Sequence, residues 1–389
     1  MNKEILLTTL TAVTLTSTLF AEETLPVKSE VEPIHQMPWE SKQTFSGFAQ
    51  VGVEMGDGAI GDDQNGDYKF KADRVRILWK YFSGPVGAKV MLDFVQAGDD
   101  NNGVGLPDVV KDAFISYKFD DALFLKAGMM KAPLGMSWTT AGWNLSVVKR
   151  AFDKKLAFER TFGLMLSGRD IGFGNKGKVT SLEAGHERPW KGFGYDLMIA
   201  GQAGRSGAVV NAKTGDDNAY IGRVMFDWTE LLHIEASYGV SKSAGGIDND
   251  TDREDYKAFN AGLDSHYKGM SFESEYYNVE NIRGVKGWDM NTLALTLTYP
   301  FSSTFEFAMK DVRGTETLDG VDSDAVNTYV GFNYYIHTKN TKMDRMSRKK
   351  RNRHRVQMNY VFADVDDSFK GVGGLYRANA LLLQYQFKF

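Results

Sequence analysis

The chain contains no cysteine, which excludes a disulfide framework, a thiolate metal site and a cysteine nucleophile. Proline is scarce, with 8 in 389 residues, and beyond the N-terminus no run of about 18 apolar residues occurs. Helices therefore do not carry this chain across a membrane. Charge of one sign is missing as well. Lys plus Arg number 46 against 50 Asp plus Glu, so no basic body exists for a nucleic acid. The six histidines form no i,i+4 pair and no nucleophile elbow occurs, so no metal, cofactor or catalytic residue is expected. Gly172, Gly174 and Gly177 share the spacing of a dinucleotide-binding turn, but no helix-period stretch follows to hold a pyrophosphate. Asp63 to Asp67 resembles a calcium loop without its closing acid and reads as a solvated acidic loop. What remains abundant is glycine, 40 residues, and aromatic side chains at 13%. Both suit many short, two-faced strands.

Lys3, an apolar stretch to Phe20 and Ala21 at the break predict a secretory signal peptide over residues 1–21. Residues 22–43, with Pro26, Pro33 and Pro38, predict a periplasmic N-terminal arm. From Thr44 to Phe389 the pattern has a period of two. Val75, Ile77, Trp79 and Tyr81 alternate with Arg74, Arg76 and Lys80; Leu232, Ile234, Ala236 and Tyr238 alternate with His233, Glu235 and Ser237. Side chains alternate across a strand, so each segment has one apolar and one polar face.

Soluble sandwiches alternate too, and three details decide against them. Short connections (Ser83 to Pro85, Asp120-Asp121, Lys268-Gly269, Ser302-Ser303) interleave with long ones (Gly56 to Asp67, Gly98 to Asp108, Ser241 to Asp255, Gly314 to Asp324). Aromatic residues gather at strand ends, as at Trp79 to Phe82 and Tyr299 to Phe301. Phe389 lies in a final alternating strand. Together they predict an all-β, transmembrane antiparallel β-barrel of sixteen strands, with short periplasmic turns and longer extracellular loops. Ten residues at roughly 3.3 Å each, tilted near 45°, span about 24 Å, the height of such a barrel's apolar band. Strand starts are expected near Thr44, Tyr68, Ala88, Lys111, Leu123, Leu164, Phe193, Asn218, Leu231, Lys257, Met270, Trp288, Thr304, Ala325, Arg355 and Arg377.

The third loop, Pro133 to Leu164, is too long and too apolar to lie wholly in outside water, with Leu134, Met136, Trp138, Trp143, Phe152 and Phe158. It is expected to fold into the barrel and aim Lys149, Arg150, Lys154, Lys155 and Arg160 at the lumen; packing on a neighbouring subunit is the alternative. Alternation also turns Arg74, Arg76, Lys80, Lys89, Lys118 and Lys126 inward, a basic wall concentrated on the first five strands. Glu54, Asp93, Asp112, Glu235, Glu273, Glu275, Glu306 and Lys310 face inward as well. A net positive constriction between low-dielectric walls concentrates anions. Charge alone does not single out phosphate.

Several short motifs resemble the phosphate-selective porin O and P family of outer-membrane channels. They are Leu125-Lys126-Ala127-Gly128 running into Lys131-Ala132-Pro133-Leu134-Gly135, then Glu159-Arg160, then Gly168-Arg169-Asp170-Ile171-Gly172. Val330-Gly331-Phe332-Asn333-Tyr334-Tyr335 and Gln357-Met358-Asn359-Tyr360 continue the likeness in family order. The resemblance implies a trimeric porin of the bacterial outer membrane, in contact with lipid and lipopolysaccharide, passing small anions such as phosphate. It places Lys126, Lys131, Arg160 and Arg169 at the constriction. Met136-Ser137 stands where family members often carry an acid, and Lys339 to Arg355 forms a basic stretch where they keep a short turn. That stretch reads as a solvated loop or as a docking site for an anionic periplasmic partner. A weakly selective general porin, an adhesin-like barrel and a barrel enzyme are the other readings. The last would need a serine or aspartate partner for His233 or His266, and none can be named.

Overall fold

The computed structural model describes residues 40–56, 68–95, 109–120, 122–173, 191–201, 218–229, 231–242, 254–336 and 354–389. The expected signal peptide, most of the arm, the Asp63 to Asp67 loop and nearly all of the basic stretch from Lys339 lie outside the described residues. Residues 41–389 form one unit. In it β1 (Ser41–Met55), β2 (Tyr68–Ser83), β3 (Val86–Asp93), β4 (Val110–Asp120), β5 (Leu123–Lys131), β6 (Arg160–Ile171), β7 (Lys191–Gly201) and β8 (Asn218–Trp228) make the first half. The second half is β9 (Leu232–Ser241), β10 (Tyr256–Tyr267), β11 (Met270–Glu280), β12 (Trp288–Pro300), β13 (Phe305–Leu318), β14 (Val321–Tyr335), β15 (His354–Val365) and β16 (Ala380–Lys388). Each strand pairs with its sequence neighbours, and β1 pairs antiparallel with β16, closing a sixteen-stranded barrel. Closure leaves no strand edge facing hydrocarbon, where nothing could satisfy it. At the seam Phe389 and Gly47 exchange both backbone hydrogen bonds, at 3.1 and 3.0 Å.

The alternation in the sequence is the barrel's inside–outside code. Leu293, Leu295, Leu297 and Tyr299 on β12 are exposed on the outer face, while Thr292, Thr296 and Thr298 between them are buried on the inner one. Aromatic side chains ring the outside near the turn end (Phe119, Trp228, Tyr267, Tyr334) and near the loop end (Tyr220, Tyr238, Tyr276, Tyr360), as amphipathic rings do at bilayer boundaries.

The structure shifts several boundaries. β6 starts at Arg160 rather than Leu164, because its pairing with β5 runs up to Lys131↔Arg160. β16 starts at Ala380, not Arg377. The connection expected from Gly314 to Asp324 is a two-residue turn: β13 and β14 pair to Leu318↔Val321, and Asp319 and Gly320 take φ of 52° and 79°. Positive φ at both central residues is the hairpin turn that Asp-Gly favours.

Candidate functional site

Loop L3, residues 132–159, lies inside the barrel. A loop buried there must find a partner for each backbone polar group, and the wall supplies them. Ser237 on β9 accepts from Gly135 N at 3.2 Å, and Glu275 on β11 accepts from Ser137 N at 3.0 Å. Gln50 on β1 donates to Gly142 O at 3.2 Å, Arg355 on β15 to Leu145 O at 2.8 Å, and Asn333 on β14 to Ser146 O at 2.9 Å. Asn359 accepts from Val148 N at 2.7 Å, and the Tyr256 hydroxyl donates to Leu156 O at 2.7 Å. L3 forms a short helix α1 (Met136–Thr139) and two 3-10 turns (Gly142–Asn144 and Phe152–Leu156), and buries Leu134, Phe152, Leu156 and Phe158 completely. These anchors lie on β1, β9–β11, β14 and β15. L3 thus covers that side of the interior, and the aqueous passage runs past β2–β6. Side-chain exposure agrees: Arg76 and Lys89 keep 15% and 21%, whereas Asn260, Asn333 and Gln357 keep 0%.

Four arginines converge at the level of L3. Arg74 donates to Gln50 Oε1 at 2.5 Å, Arg76 pairs with Asp93 at 2.7 Å, and Arg160 pairs with Asp112 at 2.8 Å. The Arg150 guanidinium, on L3 itself, lies well below its usual range because of burial first and then repulsion from Arg74, Arg76 and Arg160. Lys89 shares Asp112 at 2.7 Å. Below this level Lys80 stands opposite Lys89 in register, Lys126 lies over the Phe114 ring and Lys118 over Phe124.

The acids are sorted differently. Asp93 and Asp112 face the passage among these cations. Glu275 is occupied by L3 backbone, and Glu306 accepts from Asn333 at 3.1 Å and Tyr335 at 2.7 Å. Asp153 of L3 is fully buried, 3.5 Å from Lys310. Glu235 lies against His233 Nε2 at 2.9 Å, whose Nδ1 meets Asp227 at 2.6 Å. L3 therefore engages Glu275 directly and covers Glu306, and the level of the four arginines carries five cations (Arg74, Arg76, Lys89, Arg150, Arg160) against three carboxylates, Asp93, Asp112 and, beside Arg74, Asp73.

Some expected constriction residues serve other ends. Arg169 is completely buried, paired with Asp196 through bonds of 2.8 and 2.9 Å, and Arg223 meets the same carboxylate at 2.5 Å. This guanidinium secures the β6–β7 wall rather than lining the passage: Asp196, which also accepts from Ser167 directly opposite it, takes up the Arg169 side chain two residues on. Lys131 caps α1 by donating to the carbonyls of Trp138 at 2.8 Å and Thr139 at 3.3 Å, so it holds L3 in place. Lys149 touches Glu54, which Lys71 also reaches at 2.9 Å. Burial pushes the Lys149 ammonium down to about 7. Lys154 and Lys155 sit half-buried on the Phe152–Leu156 turn. Arg355, expected in the basic stretch, belongs to β15 and supports L3.

A second inward loop escaped the sequence reading. L8, residues 366–379, buries Phe369 beside Phe152 of L3, ring centroids 6.0 Å apart. Glu316 accepts from Lys370 N at 2.7 Å and Gly371 N at 2.9 Å, and Asn327 brackets the Tyr376 backbone at 2.8 and 2.9 Å. The apolar spacing Phe369, Val372, Leu375, Tyr376 was the available signal.

A closed barrel with apolar outer faces, polar inner faces and an inward loop narrowing its lumen is a channel of the bacterial outer membrane. The sequence profile of the Gram-negative porins matches residues 8–354, and the chain belongs to that family. The match does not single out the phosphate-selective O and P channels. Among solved structures the chain is similar to an anion-selective porin from Comamonas acidovorans, at 15% identity over 90% of this chain and 100% of that one, TM-score 0.59. It is similar to the outer membrane channel DcaP of Acinetobacter baumannii at 13% identity over 90% and 97%, TM-score 0.59. OmpT of Vibrio cholerae, in its trimer form, shares 11% identity over 90% and 99%, TM-score 0.57. At these identities the likeness speaks to fold. No curated protein sequence matches the chain.

Proposed function

We propose that this porin is a passive, anion-preferring diffusion channel that works as a homotrimer. The observation that supports it is the balance of charge beside L3, five cations against three carboxylates. With a Debye length of about 8 Å at physiological salt, that field reaches across a narrow pore. Selectivity needs no bond chemistry: the guanidinium and ammonium groups replace part of an anion's hydration and must release it again. Inorganic phosphate lies within the class this field admits. The trimer rests on the likeness to a porin described in trimer form. In a planar bilayer under a salt gradient, the reversal potential is expected to show chloride crossing more readily than potassium; the opposite sign overturns the reading. Millimolar phosphate that blocks the chloride current supports phosphate as a solute, and unblocked current leaves a general anion porin.

A further inference from the structure

The cations of the passage are not simply displayed to water. They lie over aromatic rings that themselves face inward. Arg76 is 5.8 Å from the Phe48 ring centre, and Arg160 is 5.6 Å from that of Trp138. Phe114 is shared, with the Lys89 ammonium at 5.6 Å and the Lys126 ammonium at 5.9 Å. Lys118 lies 5.8 Å from Phe124. Descending β2 to β5, cation and ring alternate from the level of L3 towards the turn end.

A channel for hydrated inorganic ions gains nothing from rings on its wall, because apolar surface facing water is a cost. Phe114 is the best placed of them. It is half-buried and packs partly against the buried interior cluster, Lys89 is its register partner on β3, and its partner on β5 is Gly128. Gly128 takes φ of 128°, and a Cβ there would crowd the Ala113 carbonyl at 2.3 Å and Phe114 Cβ at 3.1 Å, so only glycine lets the ring sit against β5 here. A flat apolar body can lie against the exposed part of the ring while its carboxylate meets Lys89 or Lys126. Ring–ring contact and charge pairing would act together there, each too weak to trap the solute.

We infer that the track centred on Phe114, Lys89 and Lys126 is a transit site for organic anions with an aromatic body, arene carboxylates above all. This rests on the anion preference proposed above and narrows it to a solute class.

The test uses the whole reconstituted channel carrying chloride current, with benzoate, acetate and inorganic phosphate as probes. Benzoate is expected to reduce the current at concentrations about tenfold lower than acetate or phosphate. Phe114→Leu is expected to remove most of that difference while the chloride-to-potassium reversal potential keeps its anionic sign. Equal potency of benzoate and acetate overturns the inference, as does stronger block by phosphate. Should Phe114→Leu fail to insert, the comparison of probes on the unaltered channel decides alone. A reversal potential of cationic sign would instead remove the underlying reading of anion preference, so the two failures are distinct.

Discussion

Replacing Arg74, Arg76 and Arg160 together by glutamine is expected to abolish the anion preference. The substitution removes three of the five cations beside L3 and leaves Lys89 and Arg150 facing Asp73, Asp93 and Asp112. The local balance then falls just below zero. A focused field of several kT in a charged cleft can change local ion concentration by tenfold or more. The chloride-to-potassium permeability ratio is thus expected to drop by about tenfold, towards unity, at low salt, and by less at 1 M, where screening is already within about 3 Å. Glutamine can still donate to Asp93 and Asp112, so neither is left without a hydrogen bond. Reversal potentials at two ionic strengths check both parts. An unchanged ratio would mean that selectivity is set elsewhere in the passage.

Gly135→Val is expected to give the second large effect, a severalfold rise in single-channel conductance with a weaker anion preference. Gly135 begins L3 with φ of 91°, in the region that a β-branched residue avoids. A Cβ there would overlap the Tyr277 hydroxyl on β11, so the side chain and L3 cannot both stay in place. The bonds from Gly135 to Ser237 and from Ser137 to Glu275 are the first to go, and with them the loop's seat on β9–β11. Each wall bond is worth only about 0.5–1.5 kcal/mol net, but L3 is held by many in series along one chain, so losing the first loosens the next. Gly135→Ala combined with Tyr277→Phe should recover part of the wild-type conductance, since the overlapping oxygen is gone. Unaltered conductance in Gly135→Val would show that L3 does not set the pore's width.

Most of the barrel was legible because a membrane-spanning strand has one job per face. All sixteen expected starts follow the observed order within about four residues, from Tyr68 and Leu123 without shift to Leu164 moved to Arg160. The inward path of L3 was legible for a related reason: Leu134, Phe152 and Phe158 have no place in outside water, and all three are fully buried. The Asp319-Gly320 turn was missed because Thr315, Thr317, Asp322 and Asp324 look like loop residues. They are outward strand positions joined across β13 and β14 by bonds such as Thr315 to Asp324 at 2.7 Å. The division of charge could not be read from alternation, which says only inside or outside. Whether an inward acid meets water depends on which wall L3 covers, and that is decided by amides far away in the chain, such as Gln50, Asn333 and Asn359. Arg169 shows the same limit: its partner Asp196 lies on the next strand, opposite Ser167, and which inward carboxylate it meets depends on that register.

The sorting of inward side chains by L3 can be measured by thiol labelling, for the chain has no cysteine to interfere. Lys118→Cys lies on the open wall; Glu306→Cys and Asn333→Cys lie behind the loop, where Glu306 keeps 2% and Asn333 0% exposure. With a small thiol-reactive sulfonate added to the conducting channel, Lys118→Cys is expected to react within the first exposure and alter the current. Glu306→Cys and Asn333→Cys are expected to stay unreacted. Labelling of all three at similar rates would contradict the division of the interior into a basic aqueous face and a covered acidic one.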